Sequence, residues 1–370
     1  MTQNKTKWVQ LKDYIVQCDE RNSDNSYSLD SVRGISVNKE IIATKANMEG
    51  VALTPYKLFK HKEFCFVTVT SRNSNKITIS INPNKETYIV SSSYEVFRVK
   101  DENVLLPEYL YLIFNRPEFD RYARYNSWGS ARETFSFAEM ERVEIPLPDI
   151  ATQQQIVDIW KHLREVKEQN EAIAGPLFQL CQSYIQELKR KYELTPIGGY
   201  IRNVTEKNSD LEITLEQGIN IKKEFITPQR SNSNLATRVK VRKGQFAYCT
   251  QLNNENVAIA YRTGEDCVVS PVYEVFEITN EDILLPEYLF LWLIRPEFGR
   301  FVYWGSVGSA YEFLRWEDLS SSRIAIPSIE IQQAIVNIFL CAKEAKRIAE
   351  EADKLSREIC PALIQKVIHE

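Results

Sequence analysis

The chain has 370 residues, 44% apolar and 26% charged, which is enough for two to four domains of ordinary globular make-up. Its net charge of −4 argues against a simple basic-faced nucleic-acid binder, although partner chains can supply phosphate contacts. Seven scattered cysteines without a C-x-x-C pair, only three histidines, no apolar run near the roughly 20 residues of a bilayer span, and a polar Met1–Trp8 lead to one expectation: a cytoplasmic protein with free thiols, no metal and no membrane association.

In chain order, strands are predicted at Phe64–Thr70, rich in alternating β-branched residues, and at Lys76–Ile81, which keeps a period of two. Between them Thr70-Ser71-Arg72-Asn73-Ser74-Asn75-Lys76 reads as a polar turn. Tyr94–Phe97 follows as a strand, and helices open at Pro107 and Pro117, since proline fits the first turn of a helix. Ser127-Trp128-Gly129-Ser130-Ala131-Arg132-Glu133 is a second turn. Past Pro148, apolar residues at Ile156, Ile159, Leu163, Val166, Ile173, Leu177, Leu180, Tyr184 and Leu188 step by three, four and seven, a narrow stripe suited to helix-against-helix packing.

The second half has the same order. Phe246–Tyr248 follows a Lys243-Gly244 turn, Cys267–Val269 leads into Tyr273–Phe276, and helices open at Pro286 and Pro296. A second tail past Pro327 carries Ile335, Phe339, Ala342, Ile348, Ala352, Leu355, Ile359, Leu363 and Val367. Pro176 and Pro361 are expected to interrupt their tails, by a kink or a reset of the stripe. Each tail of roughly 40 residues would reach on the order of 60 Å.

The two halves are copies. Tyr94-Glu95-Val96-Phe97 recurs at Tyr273-Glu274-Val275-Phe276, Leu105-Leu106-Pro107-Glu108-Tyr109-Leu110 at Leu284-Leu285-Pro286-Glu287-Tyr288-Leu289, and Arg116-Pro117-Glu118-Phe119 at Arg295-Pro296-Glu297-Phe298, each pair 179 positions apart. Earlier the offset is larger, 186 at Asn22 against Asn208 and 184 at Gly34 against Gly218, so loops between residues 40 and 92 and between 224 and 267 have gained or lost residues. The expected fold is α+β: two pseudo-symmetric mixed α/β domains, 1–149 and 193–327, separated by two long antiparallel helices, 150–192 and 328–370, that form a coiled-coil-like spacer. Shared positions are frame, and function is expected where the copies differ.

The signatures of common enzymes are missing. There is no G-x-G turn, P-loop, H-E-x-x-H or G-x-S-x-G, and no two prolines are adjacent as in the tetrapeptide of amino-methyltransferases. Pro148-Asp149 with Glu165-Val166-Lys167 imitates the carboxylate–lysine set of metal-dependent nucleases, yet Glu165 and Lys167 fall inside a helical stripe, which suits a solvated helix face.

With these residues in view, the chain resembles the specificity subunit of Type I restriction-modification systems over essentially its whole length. The junctions into the tails carry much of the likeness: Ile145-Pro146-Leu147-Pro148-Asp149-Ile150-Ala151-Thr152-Gln153-Gln154-Gln155-Ile156, and Ile324-Ala325-Ile326-Pro327-Ser328-Ile329-Glu330-Ile331-Gln332-Gln333-Ala334-Ile335. The family commonly has Glu before that Gln, where this chain has Thr152 and Ile331. The resemblance implies a non-catalytic subunit that reads a bipartite, asymmetric site in double-stranded DNA with two target-recognition domains. It implies two modification subunits docked on the helical regions and carrying S-adenosylmethionine, with restriction subunits in the full complex and no cofactor on this chain. By family position and residue chemistry, the candidate DNA-contacting residues of the first domain are Arg72, Asn73, Asn75, Lys76, Trp128, Ser130 and Arg132. Those of the second are Gln251, Asn253, Asn254, Asn256, Ser309 and Tyr311. Half-sites about one helical turn apart, near 34 Å, are expected. The other readings from the residues are a metal-dependent nuclease using Asp149, Glu165 and Lys167, the specificity half of a split restriction enzyme, and a helical adaptor without a DNA role.

Overall fold

A computed structural model describes residues 6–70, 76–129, 132–228, 234–252, 256–306 and 313–369. The chain forms two compact units: unit 1 comprises Met1–Gln169 and Ile348–Glu370, and unit 2 comprises Asn170–Arg347. Each unit therefore takes the start of one tail and the end of the other.

Unit 1 contains β1 (Lys7–Gln10), β2 (Ile15–Cys18), β3 (Arg33–Ile35), β4 (Ile41–Ala43), β5 (Lys57–Phe59), β6 (Phe64–Val67), β7 (Ile79–Ile81), β8 (Tyr88–Val90) and β9 (Tyr94–Val99). Helices α1 (Pro107–Phe114), α2 (Pro117–Tyr125) and α3 (Phe137–Glu141) follow, then β10 (Glu144–Leu147) and the long α4 (Ile150–Lys191), which continues into unit 2. Unit 2 repeats the series as β11 (Leu194–Pro196), β12 (Ile201–Asn203), β13 (Gly218–Ile219), β14 (Phe225–Ile226), β15 (Val239–Val241), β16 (Phe246–Cys249), β17 (Ile259–Tyr261), β18 (Cys267–Val269), β19 (Tyr273–Ile278), α5 (Pro286–Leu293), α6 (Pro296–Ser306), α7 (Trp316–Ser321), β20 (Arg323–Ala325) and α8 (Ile329–His369).

The strand pairings match one for one. A four-stranded antiparallel sheet β2-β9-β6-β7 answers to β12-β19-β16-β17, and the two-stranded pairs β1-β10, β3-β4 and β5-β8 answer to β11-β20, β13-β14 and β15-β18. Register shows how the copies drifted: Ile15 aligns with Ile201 at an offset of 186, Ile41 with Phe225 at 184, Phe64 with Phe246 at 182, Ile79 with Ile259 at 180, and Ile89 with Val268 at 179. Every change falls between strands, where a loop absorbs a deletion without moving a ladder hydrogen bond.

The central sheet is covered on both faces. Phe64, Phe66 and Phe97 pack with α1 and α2 residues, whereas Cys65 and Val96 face Phe59, Tyr88 and Val90 of the small sheet. Unit 2 does the same with Phe246, Tyr248 and Phe276 on one side, and Ala247, Val275, Val239 and Val241 on the other. Two-sided burial explains why Phe64-Cys65-Phe66 is continuously apolar rather than alternating. Phe64 stacks on Phe97 at 4.9 Å and Phe246 on Phe276 at 4.8 Å, the same cross-strand pair in each unit.

Pro176 and Pro361 lie inside helices that continue on both sides of them. The tails depart from expectation in one way. The stripe of α8 holds, with Ile335, Phe339, Ala342 and Ala352 buried, but that of α4 holds only at its ends, Ile156 and Leu188; between them Ala174, Cys181 and Ile185 are buried, while Ile159, Val166, Ile173, Leu180 and Tyr184 are exposed. Several steps of seven satisfy two neighbouring faces of a helix equally well, and contact with α8 selects between them. In unit 1 Lys167 on α4 binds Asp353 on α8 at 2.9 Å. In unit 2 Phe178 packs edge-on against Phe339 and Cys181 lies over the carbonyl of Ile335 at 3.8 Å, so within each unit the two tails run antiparallel.

Candidate nucleic-acid interface

The two turns singled out in the first copy meet in space. After β6 the chain passes Thr68 and Thr70, and the segment after the second turn returns beside it: Phe135 N donates to Thr68 O at 2.8 Å, and Thr70 N and Oγ1 both donate to Glu133 O, at 3.0 and 3.2 Å. The second turn is itself closed, with Trp128 and Thr134 exchanging hydrogen bonds of 3.1 and 2.9 Å. Gly129 sits at φ +142°, and a Cβ there would lie 2.1 Å from the carbonyl oxygen of Arg132, so only glycine makes this corner.

The same join occurs in unit 2, where Leu314 N donates to Thr250 O at 2.8 Å and Gln251 bridges to Phe313. Because Leu314 corresponds to Phe135, Thr250 corresponds to Thr68. By sequence alone, Thr70-Ser71-Arg72-Asn73-Ser74-Asn75-Lys76 has its counterpart in Thr250-Gln251-Leu252-Asn253-Asn254-Glu255-Asn256; register shifts that pairing by two residues, because no local pattern distinguishes the threonines and only the ladder counts from the shared strand.

Of the described candidates, Trp128, Arg132 and Gln251 flank this join. Trp128 exposes 63% of its surface, and Lys76, Arg132, Gln251 and Asn256 are exposed. Arg72, Asn73, Asn75, Ser130, Asn253, Asn254, Ser309 and Tyr311 lie outside the described residues. Arg124 on α2 ion-pairs with Glu133, bracing the second turn against its helix.

Asp120 is a residue the sequence reading missed. Its carboxylate accepts from Ile77 N at 3.1 Å, at the base of the β6–β7 hairpin, and pairs with buried Lys39 at 2.8 Å. Lys39 also donates to the carbonyl of Phe114 at 2.5 Å, closing the end of α1. Burial lowers the Lys39 ammonium from its usual value, and Asp120 opposes that. In unit 2, Lys223 likewise donates to Leu293 O at 2.7 Å, but Gly299 stands where Asp120 stood, and burial alone brings the lysine down to about 8. Comparing the copies position by position, Asp120 against Gly299, was the signal available in the sequence.

The nuclease-like set does not assemble. Asp149 caps α4, accepting from Thr152 N at 2.8 Å, a bond that draws its carboxyl below the usual range and supplies the cap that Thr152 itself does not. Glu165 lies 16 residues along the same helix, about 24 Å away at 1.5 Å per residue. Lys167 is held by Asp353. Among the described residues no cluster of three or more His, Cys, Asp or Glu side chains is arranged to hold a metal, and no helix is long and apolar enough to cross a membrane.

Residues 33–174, a span that includes both turns of unit 1, match the family model described as the Type I restriction modification DNA specificity domain. The S subunit of a Type I restriction-modification system from M. genitalium shares the fold at a TM-score of 0.60 and 13% identity, over 99% of this chain and 97% of that one. An HsdS subunit from Thermoanaerobacter tengcongensis aligns over 99% of this chain and 97% of its own, at a TM-score of 0.40 and 15% identity. A further structure, reported for assembly and conformational transition of the type I R-M system, aligns over 99% and 98% at 0.43 and 14%. No curated protein sequence matches the chain.

Proposed function

We propose that this chain is a Type I restriction-modification specificity subunit that reads a bipartite, asymmetric DNA site, one half with each unit, and carries no catalytic centre of its own; the family-model match over residues 33–174 and the shared fold support this. The observation that carries the reading is the join repeated on one shared frame, Thr68 to Phe135 and Thr250 to Leu314, beside segments whose sequences differ between the two units. A common backbone carrying different readers suits two different half-sites. Arg72 and Arg132 offer the bidentate donors that suit guanine, and Asn73, Asn75, Asn253, Asn254 and Asn256 the amides that suit adenine. Lys76, Trp128, Ser130, Gln251, Ser309 and Tyr311 complete the two contact sets.

The helical segments 150–192 and 328–370 dock two modification subunits, which bring S-adenosylmethionine and share the phosphate contacts with this chain of net charge −4; restriction subunits join these for cleavage. Exposed Ile159, Val166, Ile173 and Leu180, spaced by seven along α4, support a helix-docking role.

The test is to map N6-methyladenine in DNA from cells expressing the chain with its modification subunit. A two-part motif is expected, and Arg132→Ala relaxes base choice in one half alone. A continuous motif, or equal relaxation in both halves, overturns the reading.

A further inference from the structure

The geometry points to a second DNA contact in each unit, formed by Arg121 with Tyr125 and by Arg300 with Trp304, that holds the duplex irrespective of base sequence. It rests on the DNA-reading function proposed above. Among the described large apolar side chains, Ile221 at 80%, Tyr125 at 79% and Trp304 at 75% are the most exposed. A single exposed apolar side chain is ordinary. Here, however, two of the three occupy one position of the duplicated frame, 179 residues apart, and each follows an exposed arginine by four residues. On a helix that spacing places cation and ring on one face, and both residues lie within α2 or α6.

The position of this face selects the occupant. Tyr125 is the last residue of α2, which leads into the second turn of unit 1, and Trp304 lies in the last turn of α6; in unit 1 α2 is tied to both turns, through Asp120 to Ile77 N and through Arg124 to Glu133. Tyr125 stands three residues before exposed Trp128, so a duplex held at the second turn has this helix end beside it. Arg121 exposes 70% of its side chain, and its ion pair with Glu118 at 3.2 Å is open to solvent, so a phosphate can replace the carboxylate. An arginine beside an aromatic face suits a phosphate and the adjoining sugar or base edge.

Sequence independence follows from comparing the copies. Where the turns differ, as at Arg132 and Tyr311, the units read different bases; the cation and ring of α2 and α6 keep one chemistry in both, which fixes register and carries no base information.

The experiment uses the complex assembled with modification subunits. Affinity is measured for a duplex bearing the methylated motif and for a scrambled duplex, across a salt series, with Arg121→Ala/Tyr125→Ala, with Arg300→Ala/Trp304→Ala, and with Tyr125→Phe and Trp304→Phe as folded controls that keep a ring. Each double variant is expected to weaken both duplexes by a similar factor, about tenfold, to leave their ratio unchanged, and to lower the slope of log K against log salt by about 0.9. Unchanged affinity overturns the contact. A loss confined to the motif duplex makes these residues readers instead, and loss of the modification subunits on gel filtration assigns the face to a protein partner; either result overturns the proposal. If the unaltered complex shows no preference for the motif duplex, the functional reading fails first and this inference fails with it.

Discussion

Gln153 and Gln332, 179 positions apart and both fully buried, close the same three hydrogen bonds in their units. The Oε1 of each accepts from a main-chain N–H, Leu106 at 2.9 Å and Leu285 at 3.0 Å. The Nε2 of each donates to two carbonyls, Val104 and Pro148 in unit 1, Ile283 and Pro327 in unit 2. One side chain thus locks the loop entering α1 or α5 to the start of a tail. Gln153→Ala leaves one donor and two acceptors unsatisfied in the interior and is expected to cost about 3 kcal/mol. Urea unfolding checks this, and Gln332→Ala should cost a similar amount.

Lys223 makes stability pH-dependent. Its folded value of about 8 lies below the unfolded 10.5. Between those values the unfolded chain binds the extra proton, so stability rises with pH across that window; below about 8 both states are charged and the full cost of burial, at most about 3 kcal/mol, is present. Gly299→Asp, which supplies the counterpart of Asp120, is expected to flatten that rise and stabilise the protein near neutrality. Denaturation midpoints measured from pH 7 to 10.5 decide it.

The end of α8 belongs to unit 1. Ile364 is fully buried in the core that holds Ile156 and Val157, and Arg116 binds Gln365 at 2.8 Å. A chain ending at Arg347 is therefore expected to lose amide protection in β1, α1 and the first turns of α4, while β12, β16 and β19 of unit 2 keep theirs; hydrogen exchange reads the difference.

Asp353 joins α8 to α4. Burial pushes its carboxyl up, but Lys167 and Arg357 pull it below the usual value, so the pair stabilises above the unfolded carboxylate pKa and is lost as pH falls through the folded one. Asp353→Asn is expected to cost about 1 kcal/mol at pH 7 and progressively less below pH 4, by denaturation at each pH.

Gly129→Ala places a methyl group against the carbonyl of Arg132 at a backbone angle that side chains avoid. Strain of about 1–3 kcal/mol confined to the turn should spare global unfolding and impair methylation of one half-site, a contrast that melting curves and methylation maps resolve together.

Local patterns settled much of the architecture. The 179-residue repeat, the prolines opening α1, α2, α5 and α6, the strand at Tyr94–Val99 and its copy, and the long helices after Pro148 and Pro327 all follow from chemistry within a few residues, and the structure has each of them. Three features depended on partners distant in sequence. Which stripe of α4 is buried was decided by α8, some 180 residues away, because the helix alone carries two adjacent apolar rows. The alignment of Thr250 with Thr68 was decided by ladder register, since a turn of variable length carries no count of its own. The meeting of Thr70 with Glu133, 63 positions apart, which brings two separate polar turns together, needed the residues between them to fold into sheet and helices first. Periodicity specifies which face of an element is apolar; only packing specifies what that face meets.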